Sequence, residues 1–333
     1  VVLGNMSGGH DVEGRALIQG NLTGNSTTFF KNGNTAPSSQ YPALMIGGNQ
    51  NANSINVNNG GSIEVGGNVT KNINMNGNGN AYVGGSVTGG ANINTSGTKV
   101  IGQPVPVAIP TFTSVMTGLS NTLRALTANA TASISANTGI FNASGLGNLV
   151  TFNIANGANF FNSIGQISFT LGSASTVIIN VGGTTLNIAE NWLNGVGTSV
   201  ADNIVWNFYE ATSITFGTEF FGAVLAPYAT VSNNNALNGS VVVKEFNQGG
   251  EVHQYQFSGD LPGSVPEPMT LGLLGAGLIG LGAARQFTGQ REAAGLSQCR
   301  HLVAGSAQLL GNGVEQRDDP LRVRHSGCLD AAV

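Results

Sequence analysis

No cysteine occurs before Cys299 in this chain of 333 residues, and the only other one is Cys328. That excludes disulfide staples and thiolate metal sites from the first 298 residues. Charge is scarce as well, at 8% of residues, far below an ordinary soluble domain. Only six Lys and Arg fall between residues 1 and 264, unclustered, and the formal net charge is -4. Nucleic-acid binding is thereby excluded, because phosphate recognition needs dense basic residues. Neither a metal nor a cofactor is expected. The chain opens on Val1 without an initiator Met or an apolar leader, so a signal peptide is expected to be removed or to lie upstream.

What is present is glycine, fifty of them, with abundant Asn, Thr and Ser as the hydrophilic surface. At 41% apolar residues the chain can bury a sizeable core, and one elongated domain with appendages is expected. This is the composition of a secreted β-rich protein.

Between Ile55 and Thr95 the sequence repeats every 18 residues. Asn56-Val57-Asn58 recurs as Asn74-Met75-Asn76 and Asn92-Ile93-Asn94, and Val65-Gly66-Gly67-Asn68-Val69-Thr70 recurs as Val83-Gly84-Gly85-Ser86-Val87-Thr88. The register is read as constant through these copies. Ile46-Gly47-Gly48-Asn49 is an earlier copy, and Ile18-Gln19-Gly20-Asn21 a degenerate one. Apolar residues alternate with polar ones inside each copy, the period of a strand with one face inward. Eighteen residues at about 3.3 Å each suit three short strands and three corners, one circuit of a β-helix. No circuit buries its own apolar face, so the stack supplies the core. The fold class expected is all-β, a β-solenoid. Its outward amides Asn56, Asn58, Asn74, Asn76, Asn92 and Asn94 are the candidate ligand surface, since stacked amides can bond a repetitive polar ligand or one another.

The chain opens Met6-Ser7-Gly8-Gly9-His10-Asp11-Val12-Glu13-Gly14-Arg15, and Asp11, Glu13 and Arg15 alternate so as to share one strand face. Later come Trp206-Asn207-Phe208-Tyr209-Glu210-Ala211-Thr212, Gly222-Ala223-Val224-Leu225-Ala226-Pro227-Tyr228-Ala229 and Gly249-Gly250-Glu251-Val252-His253 followed by Phe257-Ser258-Gly259. Together these segments resemble the choice-of-anchor A domain family of secreted bacterial surface proteins, over residues 2 to 261. The resemblance implies a β-solenoid similar in architecture to bacterial ice-binding domains, an adhesive role and no enzymatic activity.

Phe112, Val115, Met116, Leu119, Leu123 and Leu126 carry helical spacing, which predicts one flanking α-helix over about 111–128, with Pro110 before its start and Asn129 as its stop. Strand patterns then return, and the unbroken Val177-Ile178-Ile179 suggests a strand covered on both faces, where that helix would lie. Glu251 and His253 share a strand face. If the two ends of the domain meet, Asp11, Glu13, Arg15, Glu251 and His253 form one polar cap cluster, expected to lock the rung order by hydrogen bonds.

Pro266-Glu267-Pro268 precedes an uncharged run from Met269 to Ala284, closed by Arg285. This resembles the PEP-CTERM sorting signal. At 1.5 Å per residue the run gives a hydrophobic helix of about 24 Å, near the ~30 Å bilayer core. The resemblance implies an exosortase-type processing enzyme as partner, recognising Pro266, Glu267 and Pro268. It also implies an inner-membrane intermediate and delivery to the exterior of a Gram-negative cell. The divisions expected are a solenoid domain over 1–262, the sorting signal with its transmembrane helix over 263–285, and an atypical tail over 286–333. That tail holds both cysteines and five acids, and is read as disordered or a frameshift artefact.

The function expected is that of a non-enzymatic exported adhesin associated with exopolysaccharide or biofilm, with surface glycans as partners. The alternatives are an ice-binding protein, for which only Thr70 and Thr88 are in register, and a polysaccharide-active β-helix enzyme, which would need a carboxylate-bound cation and a basic residue.

Overall fold

Each apolar stretch of the repeat becomes one edge of a coil turn. The computed structural model describes residues 1–193 and 197–262, mostly strands in parallel sheets with a few short helices and no closed barrel. In the first half the chain winds over three faces. One carries Ala16–Ile18, Leu44–Ile46, Ile63–Val65, Ala81–Val83 and Lys99–Ile101 in parallel register. A second is joined at Leu22, Gln50, Val69 and Val87 by parallel bridges. The third carries Thr27–Phe29, Ser54–Val57, Asn72–Met75 and Ile93–Asn94. We call these the helix, hydroxyl and amide faces.

The inward set is aliphatic here, with Ile46, Ile55, Ile63, Val65, Val69 and Ile73 fully buried. Burying one such side chain contributes about 1.5–3 kcal/mol, and the contacts come from the turns above and below. In the second half the spacing from Val177 to its partner Ile204 is 27 residues. The wider cross-section is filled by rings: Phe141 meets Phe152 at 5.3 Å and Trp206 at 5.4 Å between centroids, and Trp206 meets Phe220 at 5.1 Å.

The order of turns in space is not the order in sequence. Val2 bridges Ile18 on one side and Val243 on the other. Met6 pairs with Leu22 and Phe246, and Val12 with Phe29 and Val252. Residues 2–12 are thus the central rung, at the seam of two half-coils. From there the chain winds outward to Lys99–Ile101, crosses outside, and winds back from the opposite end. That end is closed by an antiparallel strand, Ser133–Ser135 against Thr138–Asn142.

The crossing includes helix α1, Thr113–Arg124. Its buried Phe112, Met116, Leu119 and Leu123 pack with Leu17, Met45, Ile178, Val205 and Leu225 on the outer side of the helix face, so Ile178 is covered as its pattern suggests. The helix spans the seam. Gln19 accepts from Phe112 N at 2.7 Å at one end, and Asn180 donates to the Leu123 carbonyl at 2.8 Å at the other. It is shorter than the predicted 111–128, because Asn129 bonds the backbone of Leu149 and Thr151 and draws the chain into the sheet. Ahead of α1, buried Glu64 receives Val107 N at 3.3 Å, and burial raises its pKa against that bond.

Candidate functional site

The amide ladder differs in register from the sequence reading. Asn74 donates to Asn56 at 3.2 Å and Asn76 to Asn58 at 2.7 Å, 18 residues apart. The next turn pairs Ile93 with Ile73 and Asn94 with Asn74, 20 residues apart. Two extra residues at the Gly89-Gly90 corner, both at positive φ, shift the register. An even shift keeps the same side chains inward, so the core pattern conceals it. Asn92 therefore leaves the ladder: its backbone N–H bonds Asn72 and its side chain bonds Asn94. The row is Asn56, Asn74, Asn94, beside the pair Asn58 and Asn76.

The polar residues around Asp11 and Glu251, near the two ends of the domain, meet at the seam, organised by a lysine that the sequence pattern did not single out. Lys31 bonds Asp11 and lies 3.8 Å from Glu251. Its bond to Asp11 is the main reason its pKa is raised. His253 Nε2 is 2.9 Å from Glu251 and Nδ1 is 2.8 Å from Asn238. Glu13 accepts from Gln254 N at 2.8 Å. Arg15 turns elsewhere, donating to the Pro37 carbonyl and lying 5.0 Å over the Phe30 ring. Among the described residues no group of three or more His, Cys, Asp or Glu is placed to hold a metal ion.

The hydroxyl face carries an arrangement that no single repeat reveals. Strand register places Asn187, Thr215, Ser232, Asn247, Ser7 and Thr23 in one row. Asn51, Thr70 and Thr88 continue it, one residue past the bridged Gln50, Val69 and Val87. Two residues earlier runs a parallel row of Thr185, Ser213, Thr230 and Glu245, continued by Asn5, Asn21, Asn49, Asn68 and Ser86. In that continuation each side-chain oxygen accepts the next rung's N–H: Asn5 from Asn21 at 2.8 Å, Asn21 from Asn49 at 2.8 Å, Asn49 from Asn68 at 2.7 Å, Asn68 from Ser86 at 2.8 Å. Glu245 does the same for Asn5 N at 2.8 Å, carrying the row across the seam. None of these side chains is buried, and Glu245 is the only charged one. With about 4.8 Å between rungs and about 6.6 Å between rows, the array is about 40 Å long. Rungs of 15 to 28 residues hide it from any search at a fixed period.

Residues 1–254 match the family described as Putative Ice-binding-like adhesive domain. The chain belongs to that family. No curated protein and no solved structure matches it. The matched stretch of this adhesive-domain member runs from the central rung back to its neighbour at Val252–His253. The motifs of the resemblance sit at structural joints. Asn207 clamps α1, the Pro227-Tyr228 segment is a bulge between Ala226 and Thr230, and Glu251 with His253 lines the seam. A PEP-CTERM protein-sorting motif matches residues 264–286. It implies recognition by an exosortase, and with the adhesive domain it indicates an exported, cell-surface protein. Pro266, Glu267, Pro268, Arg285, the predicted hydrophobic helix and the tail over 286–333 lie outside the described residues. Among the described residues no helix is long and apolar enough to cross a membrane.

Proposed function

We propose that this protein is a non-enzymatic adhesin that grips a repetitive, uncharged polysaccharide of the extracellular matrix with its hydroxyl face. The observation that carries the reading is the double row of Ser, Thr and Asn, nine rungs long and continuous across the seam, with one charge. Short polar side chains on a rigid sheet lose little entropy on binding, and their regular spacing suits a ligand that repeats. The amide row Asn56, Asn74 and Asn94 is a secondary contact, because its amides are already bonded to one another. The coil itself is read as a β-solenoid of the ice-binding type, the domain as residues 1–262 and the sorting signal as 263–285. In this reading the uncharged run of the signal holds the protein in the inner membrane of a Gram-negative cell until an exosortase releases it to the surface. No role is given to residues 286–333.

Co-sedimentation with insoluble neutral polysaccharides tests the face. Thr23→Lys with Thr70→Lys and Asn247→Lys is expected to weaken retention at least tenfold, and Asn56→Lys with Asn74→Lys and Asn94→Lys less than threefold. The reverse ranking would move the site to the amide face, and loss in neither would sink the reading. Ice is the second reading, supported by the same hydroxyl array and the family description. Thermal hysteresis in the unaltered protein, abolished by the first triple variant, would establish it.

A further inference from the structure

The two ends of the coil are finished differently. At the second-half end the antiparallel strand Ser133–Ser135 lies against Thr138–Asn142 as a cap. At the first-half end Lys99–Ile101 pairs with Ala81–Val83 on one side, and no strand among the described residues lies on the other. Beyond Ile101 the chain turns back along the helix face, where Val107 N reaches Glu64, two rungs earlier. Gly102 N donates to the Val83 carbonyl, and the Thr98 carbonyl receives Ala81 N. Amides alternate in direction along a strand, so those of Lys99 and Ile101 point away from the coil, at an open edge.

The side chains of that edge stand in register with the core. Ile101 continues the row of Ile18, Ile46, Val65 and Val83, all fully buried, and is itself 42% exposed. Lys99 continues the row of Ala16, Leu44, Ile63 and Ala81. A lysine thus occupies an inward position on the last rung, and residues 84–102 contain no acid to pair with it. A second copy turned about a two-fold axis could lay its own Lys99–Ile101 antiparallel on this edge, with Lys99 opposite Ile101 and the outward amides bonded across the joint. That contact would extend the apolar interior from one coil into the next. It would also enclose two lysines about 7–8 Å apart in that interior, and unpaired ammonium groups resist desolvation and repel each other. We infer that Lys99 closes this end of the coil to a second copy of the chain, as the strand Ser133–Ser135 closes the other. The hydroxyl array therefore ends where one molecule ends.

Amide hydrogen exchange with sedimentation velocity on the full chain tests this. In the unaltered protein the Lys99 and Ile101 amides are expected to exchange fast at every protein concentration. Lys99→Val is expected to form a dimer and to slow both amides about tenfold or more, while Ser133–Ser135 exchanges as before. Adding Ile101→Lys to Lys99→Val returns a charge to the inward side and is expected to restore fast exchange. Both positions are exposed at the end of the coil, so neither substitution empties the core. Association through any other segment would leave these two amides fast, so the exchange decides. Slow exchange at Lys99 and Ile101 in the unaltered protein would overturn the inference, as would a Lys99→Val variant in which both amides stay fast.

Discussion

Val12 and Val252 lie side by side as parallel neighbours, and Val252 N donates to the Asp11 carbonyl at 3.0 Å. Val12 N in turn donates to the Thr28 carbonyl at 2.8 Å. The earliest rung is thus hydrogen-bonded on both sides, and the two half-coils are coupled through it. Met6, 2% exposed between Leu22 and Phe246, is the buried centre of that joint. Met6→Ala is expected to cost about 2–5 kcal/mol and to lower the stability of both halves together. Urea unfolding followed by tryptophan fluorescence, which reports only the second half, and by circular dichroism should give coincident transitions. Separate midpoints would show that the seam does not couple them.

Two glycines should respond to alanine with opposite sign. A Cβ on Gly67 would stand 2.6 Å from the Gly48 carbonyl oxygen and 2.5 Å from Asn49 Oδ1, closer than any real contact, in a corner where Gly67 N already bonds that carbonyl at 2.9 Å. Gly67→Ala is expected to lower the melting temperature by about 4 °C, the shift of roughly 2 kcal/mol in a domain of about 260 residues. Gly118, exposed on α1, has nothing within 4 Å of its added Cβ. Gly118→Ala should raise stability by about 0.5–1 kcal/mol through backbone entropy.

Glu190 should give the protein an acid-side stability gain. It is 5% exposed, and burial pushes its pKa up from 4.5 to about 7, against the opposing pull of backbone bonds from its own N–H and Ala189 N. A folded-state pKa above the unfolded value means a contribution fully present below about pH 4.5 and lost as the pH rises through about 7. The loss is at most about 3.5 kcal/mol, at about 1.4 kcal/mol per pKa unit. Glu64 and Asp202, also raised by burial, act with the same sign, so the readout is the difference between the unaltered protein and Glu190→Gln. Denaturation midpoints from pH 4 to 8 should fall more steeply for the unaltered protein. Parallel slopes would show that Glu190 does not titrate in this range.

Asn207 should matter more than its size suggests. Fully buried, it accepts from Ser120 Oγ at 2.6 Å, donates to the Ser120 carbonyl at 2.9 Å and to Asn180 Oδ1 at 2.8 Å, and Asn180 continues to Asn153 at 3.0 Å. Asn207→Ala strands a hydroxyl and a carbonyl under α1 and is expected to cost about 2–4 kcal/mol. Amide hydrogen exchange should then speed up in α1 before it does so in Ile63–Val65. Equal acceleration in both would argue against a local clamp.

The strands, the flanking helix and its apolar stripe were legible because each is a local period: two residues for Ile63 and Val65, three and four for Met116, Leu119 and Leu123. The amide ladder was only partly legible. Its two-residue shift at Gly89-Gly90 preserves the inward set, so Asn92 read as a ladder member and is not one. Lys31 escaped notice because it sits in the excursion between Phe29 and Leu44, outside any repeat. Asp11 and Glu251 were visible as charges in a chain that has few, but no local pattern says which cation joins them.

By itself, then, the sequence determined the inward alternation, the glycine corners, the helix stripe and the export motif, all of which depend on neighbours along the chain. The tertiary structure alone decided that residues 2–12 form the middle rung, that Thr23, Ser7 and Asn247 stand in one row, and that Glu13 is bonded to Gln254. Those relations join residues up to 241 positions apart, through parallel ladders whose register is set by how the two half-coils pack around a shared apolar interior.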